Sequence, residues 1–159
     1  MSELRVGIGV DAHAFSADAR LVLGGVELDG EGLAGHSDGD VIAHALIDAL
    51  LGAANLGDIG SLFPSGEQTP KGVSSLDLLS DAYSRVRASG YELVNADCVL
   101  IGEEPRIAAF RLEMSRRLAD ALDVDPDRVA VRATTTDRLG FTGRGEGLAA
   151  HAVALLARA

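Results

Sequence analysis

The segment DVIAHALIDALLGAA, residues 40–54, decides how the rest of this chain is read. Val41, Ile42, Ala45, Leu46, Ala49 and Leu50 recur at helical spacing and form a broad apolar stripe. The lead-in GHSDGD, residues 35–40, is rich in capping side chains, and Ser37 or Asp38 is the expected N-cap, which puts His44 on the second turn. A helix with so wide an apolar face has to be laid on another layer. The flanking sequence supplies that layer.

Upstream, LRVGIGVDAH (4–13) alternates apolar and small residues and reads as a strand running into Asp11. RLVLGGVEL (20–28) reads as two short strands about a Gly24-Gly25 turn. Downstream, SSLDLLSDAYSRVRASG (74–90) is a second helix, opened by Ser74 or Ser75 and stopped by Gly90. YELVNADCVLI (91–101) is a strand whose apolar end suggests burial on both faces. PRIAAFRLEMSRRLADAL (105–122) is a third helix starting after Pro105, RVAVRATT (128–135) a strand, and EGLAAHAVALLAR (146–158) a closing helix. The fold class expected is α+β, a mixed β-sheet with helices packed on one face, and the bare face invites a symmetric oligomer. The glycine- and proline-punctuated stretch 55–73 breaks the pattern, and a loop of that length is expected to be functional.

At 159 residues the chain is expected to form a single domain, 1–159, burying roughly 70% of its unfolded surface. Richness in Ala, Gly, Val and Leu suits thin helices on a sheet. Cys98 is the lone cysteine, so no internal disulfide can form; it reads as an inert core residue in a reducing, cytoplasmic setting. No signal peptide and no membrane-spanning apolar run is read. The net charge of −10, with thirteen arginines and one lysine, argues against a nucleic-acid surface. An anionic ligand would need local devices such as metal ions, helix-start amides and single arginines.

Asp11 and His13 lie two apart at a strand end and so share a face, a bidentate metal platform or a capped turn with a paired histidine. Three of the four histidines lie between residues 13 and 44. A third ligand from the GHSDGDVIAH stretch would complete the three-ligand, open-position pattern of a catalytic zinc, although spacing alone leaves His36 and His44 interchangeable. His151 reads as a surface or packing residue. In ATTTDRLGFTGRGEG (133–147), Thr134, Thr135 and Thr136 offer hydroxyls and amides to phosphate, Asp137 is a hard oxygen ligand, and Arg144 stands among glycines. GEEPRIAAF (102–110) could hold a base or phosphate with backbone groups, or be an ordinary connection.

Taken together, GVDAHAF, GGVEL, GHSDGDVIAHALIDALLGAANLGDIGSLFP, NADCVLI and ATTTDRLGFTGRGEG resemble the 2-C-methyl-D-erythritol 2,4-cyclodiphosphate synthase family over essentially the whole chain. The resemblance implies a homotrimer with active sites between subunits. It implies zinc on Asp11, His13 and His44, with Asp11 and His13 also at the substrate, and a second divalent ion, Mg2+ or Mn2+, on Asp137. His36 and Ser37 would meet phosphate, with His36 and Thr135 stabilising the transition state. Asp58, Ile59 and Gly60 would hold the methylerythritol unit, with Phe63, Pro64, Ser65, Gly66 and Glu67 closing over it. Gly102, Pro105, Arg106, Ile107 and Ala108, with Thr134 and Thr135, would line the cytidine pocket of the adjoining subunit. Thr136, Phe141 and Arg144 match further substrate positions.

The implied reaction converts 4-diphosphocytidyl-2-C-methyl-D-erythritol 2-phosphate to the 2,4-cyclodiphosphate and CMP, in the non-mevalonate isoprenoid pathway. The nucleophile is already an anion, which fits the lack of a base dyad. This chain departs from the family pattern in having Asp137 for a common Glu, Arg106 for a common Lys, and Glu67 as the one acid in its SGEQTP loop. The other readings left open are a zinc-dependent phosphohydrolase and a non-catalytic trimer binding isoprenoid diphosphates.

Overall fold

The computed structural model describes residues 3–66 and 68–159. Its frame is one five-stranded mixed sheet in the order β4-β1-β7-β5-β6. β1 (Leu4–Ser16) pairs antiparallel with β4 (Gly32–Leu33) and with β7 (Gly147–Arg158). β7 pairs antiparallel with β5 (Tyr91–Ile101), which runs parallel to β6 (Val129–Thr134). The hairpin expected at Gly24-Gly25 forms as β2 (Leu21–Leu23) and β3 (Val26–Leu28), both glycines holding the positive φ that such a turn needs.

Helix α1 (Val41–Ala54) lies on the inner face of the sheet, and almost every residue of it is buried. The approach is unusually close. Gly7 and Gly9 share the inner face of β1, and a Cβ on either would fall within 2.0 Å of a carbonyl oxygen of Ala49 or Ala45. Ala45, Ala49 and Ala53, spaced four apart, are the helix's counterpart to those glycines. α3 (Ser75–Ala88) and α4 (Arg111–Leu122) complete the same layer. Burying side chains such as Leu46, Leu50 and Leu79 stabilises the assembly by about 1.5–3 kcal/mol each.

Four expectations are corrected. The closing segment is not a helix but β7, the central strand, paired on both edges. Its composition of alanines and leucines satisfies both periodicities: Leu148, Ala150, Ala152, Ala154 and Leu156 point inward at period two, and helix propensity favours the wrong answer. α4 starts at Arg111 instead of just after Pro105, with residues 105–110 left as a turn. The N-cap of α1 is Asp40, so His44 closes the first turn. β5 is not buried on both faces within the chain: Leu93, Ala96, Cys98 and Leu100 are buried while Asp97, Val99 and Ile101 are partly exposed. The cause is that the long helices α1, α3 and α4 pack on the other side. The opposite face presents Val6 (69% exposed), Ile8 (65%), Val10 (55%) and Val153 (44%).

Candidate active site

Asp11 and His13 stand side by side on the inner face of β1, just beyond the two glycines, where the first turn of α1 delivers His44. The carboxylate Oδ2 of Asp11 lies 2.8 Å from His13 Nε2 and 3.1 Å from His44 Nδ1, and the two ring nitrogens are 3.4 Å apart. A tetrahedral zinc with ligands at about 2.0–2.1 Å holds its ligand atoms roughly 3.3 Å apart. The donor set and its spacing therefore fit such an ion. Burial pushes the Asp11 carboxyl up, but hydrogen bonds to His13 and His44 outweigh it and hold it at about 2. The Asp11 partner likewise raises the His13 imidazole against the effect of burial.

The SDGD lead-in caps two helices. Asp40, fully buried, accepts from Ala43 N–H at 3.1 Å to cap α1, and from Gly24 and Gly25 N–H at 2.9 and 2.7 Å to tie down the hairpin turn. Asp38 reaches across to α3, accepting the Ser75 N–H at 3.0 Å. His36 and Ser37 are thereby held beside the triad. His36 Nε2 meets the Thr69 carbonyl at 2.5 Å, and the His36 carbonyl accepts Gly72 N–H at 2.7 Å, so the loop that begins at Phe63 is clasped to His36.

A cavity of about 200 Å³ opens over the triad, walled by His36, Ser37, Ile59, Gly60, Phe63 and Ser65. Ile59 and Gly60 belong to the short helix α2 (Ile59–Leu62), whose cap Asp58 accepts Ser61 N–H at 2.8 Å. Asp48, one turn beyond His44 on α1, accepts Ile59 N–H at 2.7 Å and so joins α2 to α1. Asp58, Pro64 and Gly66 lie on the same segment but do not wall the cavity. Glu67 lies outside the described residues.

The remaining candidates gather elsewhere. Gly102, Pro105, Arg106, Ile107 and Ala108 line a second cavity of about 540 Å³ with Thr134 and Thr135. The two cavities share no lining residue. Both open at the same end of the sheet, because β1, β5 and β6 run in one direction: His13 pairs with Leu148, and Ile101 with Ala149 and Thr134. Three strand steps separate them within one chain, roughly 14 Å. Past β6 the chain turns through Asp137 and Arg138, both at positive φ (55° and 65°), into the short helix α5 (Gly140–Gly143). Thr136 is engaged by Glu103, Leu139 and Thr142, whereas Asp137 and Phe141 are exposed and Arg144 pairs with Glu146.

Residue-by-residue reading missed Ser75, Asp48 and the division of caps between Asp38 and Asp40. Ser75 and Asp48 resemble ordinary helix serines and aspartates in sequence, and their roles exist only because α1, α2 and α3 meet here. Gly7 and Gly9 did carry a signal, a period-two continuation of the Asp11-x-His13 face.

Comparison with known proteins places these features. A 2-C-methyl-D-erythritol 2,4-cyclodiphosphate synthase of Rubrobacter xylanophilus is 55% identical over 100% of this chain and 98% of its own. A bifunctional enzyme IspD/IspF of Anaeromyxobacter is 54% identical over 96% of this chain, which spans only 40% of that longer protein. A solved structure of IspF from Plasmodium falciparum in complex with CDP superposes with a TM-score of 0.87 at 30% identity, covering 99% of this chain and 98% of that one. The YgbB family model matches residues 4–157. The chain belongs to the YgbB family.

Proposed function

We propose that this chain is a metal-dependent cyclising phosphorus–oxygen lyase that converts 4-diphosphocytidyl-2-C-methyl-D-erythritol 2-phosphate to 2-C-methyl-D-erythritol 2,4-cyclodiphosphate and CMP. The observation that carries the reading is the cluster of Asp11, His13 and His44, spaced so that it could hold a metal ion, in a chain matching a cyclodiphosphate synthase along its full length. The substrate's 2-phosphate oxygen attacks its own β-phosphorus, a ring closes, and the bond to the CMP oxygen breaks. The attacking oxygen is anionic, so the demand on the protein is positioning two repelling phosphates and stabilising spread charge. When bound, zinc on Asp11, His13 and His44 and a second divalent ion, Mg2+ or Mn2+, on Asp137 supply that neutralisation.

The chain's own groups do the rest. His36 and Ser37 face the cavity beside the triad and donate to phosphate oxygens. Thr135 steadies the transferring phosphoryl group, and Ile59 and Gly60 with Phe63 receive the methylerythritol portion. The cavity at Gly102, Pro105 and Thr134 takes the cytidine. Separation of the two cavities within one chain supports a homotrimer in which a neighbouring copy completes each site, its bare sheet face (Val6, Ile8, Val10) turned inward. Residues 1–159 act as one domain in the cytoplasm; among the described residues no helix is long and apolar enough to cross a membrane. The test is a product assay with that substrate: CMP and cyclic diphosphate in equal amounts are expected. Inorganic phosphate in their place would make the chain a phosphohydrolase.

A further inference from the structure

Behind the metal triad, on the side of His44 turned away from Asp11 and His13, three segments of the chain meet. His44 Nε2 lies 2.8 Å from Ser75 Oγ and 2.9 Å from Ser37 Oγ. Ser75 is the first residue of α3 and is fully buried. Its hydroxyl also makes a very short contact with the Asp38 carboxylate, which accepts the Ser75 backbone N–H as well.

Counting protons assigns the donor. A serine hydroxyl has one proton to give, and a carboxylate only accepts. The Ser75 proton goes to Asp38, so Ser75 Oγ has only lone pairs left for His44, and Nε2 must carry the hydrogen. Ser37 Oγ, which already accepts the Gly39 N–H at 3.3 Å, shares that hydrogen as a second acceptor. A neutral imidazole protonated on Nε2 has its lone pair on Nδ1. Nδ1 is the His44 atom that faces Asp11 and His13.

We propose that Ser75, backed by Asp38, is a positioning residue of the metal centre: it fixes the tautomer and ring orientation in which His44 offers Nδ1 to a metal ion. The inference rests on reading Asp11, His13 and His44 as a metal site. It gives the segment between His36 and His44 one more task, because Asp38 orients a ligand that lies six residues further along the chain. It also makes the docking of α3 on α1 a condition for full metal affinity. Loss of such an outer hydrogen bond typically weakens metal binding about 10- to 100-fold.

The test uses the full chain. Nitrogen–proton correlation of the imidazoles in the zinc-loaded wild type is expected to show His44 protonated on Nε2 and metal-bound through Nδ1. Zinc affinity, measured by competition with a chromophoric chelator, is expected to fall roughly 10- to 100-fold in Ser75→Ala, with loss of the single tautomer. Ser74→Ala removes the neighbouring hydroxyl, which makes no capping bond, and is expected to keep wild-type zinc affinity. A wild-type His44 protonated on Nδ1 overturns the proposal, as does a Ser75→Ala protein that retains both affinity and tautomer. If Ser75→Ala does not fold, the wild-type imidazole measurement decides alone. A wild type that takes up no zinc, or a His44→Ala protein that keeps it, overturns the metal reading itself, a result separable from the tautomer.

Discussion

Gly9 of β1 lies directly beneath Ala45 of α1, so close that a Cβ on Gly9 would come within 1.8 Å of the Ala45 carbonyl oxygen. The residue before Ala45 is His44, and the residue two beyond Gly9 is Asp11. Contact between a bare strand backbone and a small-residue helix face therefore sets the distance between two of the three proposed metal ligands.

Gly9→Ala is expected to lift α1 from β1, to cost about 1–3 kcal/mol or more through overpacking, and to part His44 from Asp11 and His13. Urea denaturation and zinc stoichiometry check both halves. A variant with the wild-type midpoint and one tightly held zinc would show that the contact does not control the centre.

Asp40→Ala removes the acceptor of three backbone N–H groups, those of Gly24, Gly25 and Ala43. A lost N-cap and two orphaned donors predict a loss of about 2–4 kcal/mol. The denaturation midpoint should fall with little change in slope.

Glu3 provides a pH dependence far from the site. Hydrogen bonds from Arg158 and Tyr91 hold its carboxyl below the ordinary value of 4.5. A depressed acid stabilises the fold in full above its unfolded value, and that contribution disappears as pH falls through the folded value. Melting temperatures across roughly pH 3–6 should therefore decline less steeply in Glu3→Gln than in the wild type.

Cys98 is fully buried on the inner face of β5, and burial pushes its thiol up to about 12. The expected outcome is no reaction with a disulfide reagent in the native protein and complete reaction in denaturant, so that labelling follows global unfolding. Rapid labelling under native conditions would contradict an inert core role.

Asp137 is exposed, at positive φ, in the turn after β6. Its proposed role as ligand of a second divalent ion predicts that Asp137→Ala depresses turnover and flattens its response to added magnesium or manganese, with melting temperature nearly unchanged. Steady-state rates across a metal titration would show this. Asp137→Glu tests whether the shorter side chain limits the present site.

Local pattern carried much of this protein. The stripe along residues 40–54, the Gly24-Gly25 turn and the alternation of β1 depend on neighbours within a few positions, and all are visible in the chain. So was the pairing of Asp11 with His13, because period two is a property of a strand alone. The path of β7 was not visible. Its alanines and leucines suit either helix or strand, and the choice went to the strand because β1 and β5, far away in sequence, each offered an edge. The separate duties of Asp38 and Asp40, the acceptor that Ser75 offers His44, and the splitting of the candidate residues between two cavities arise the same way. Each depends on which elements pack together, and packing is a long-range balance that no window of sequence contains.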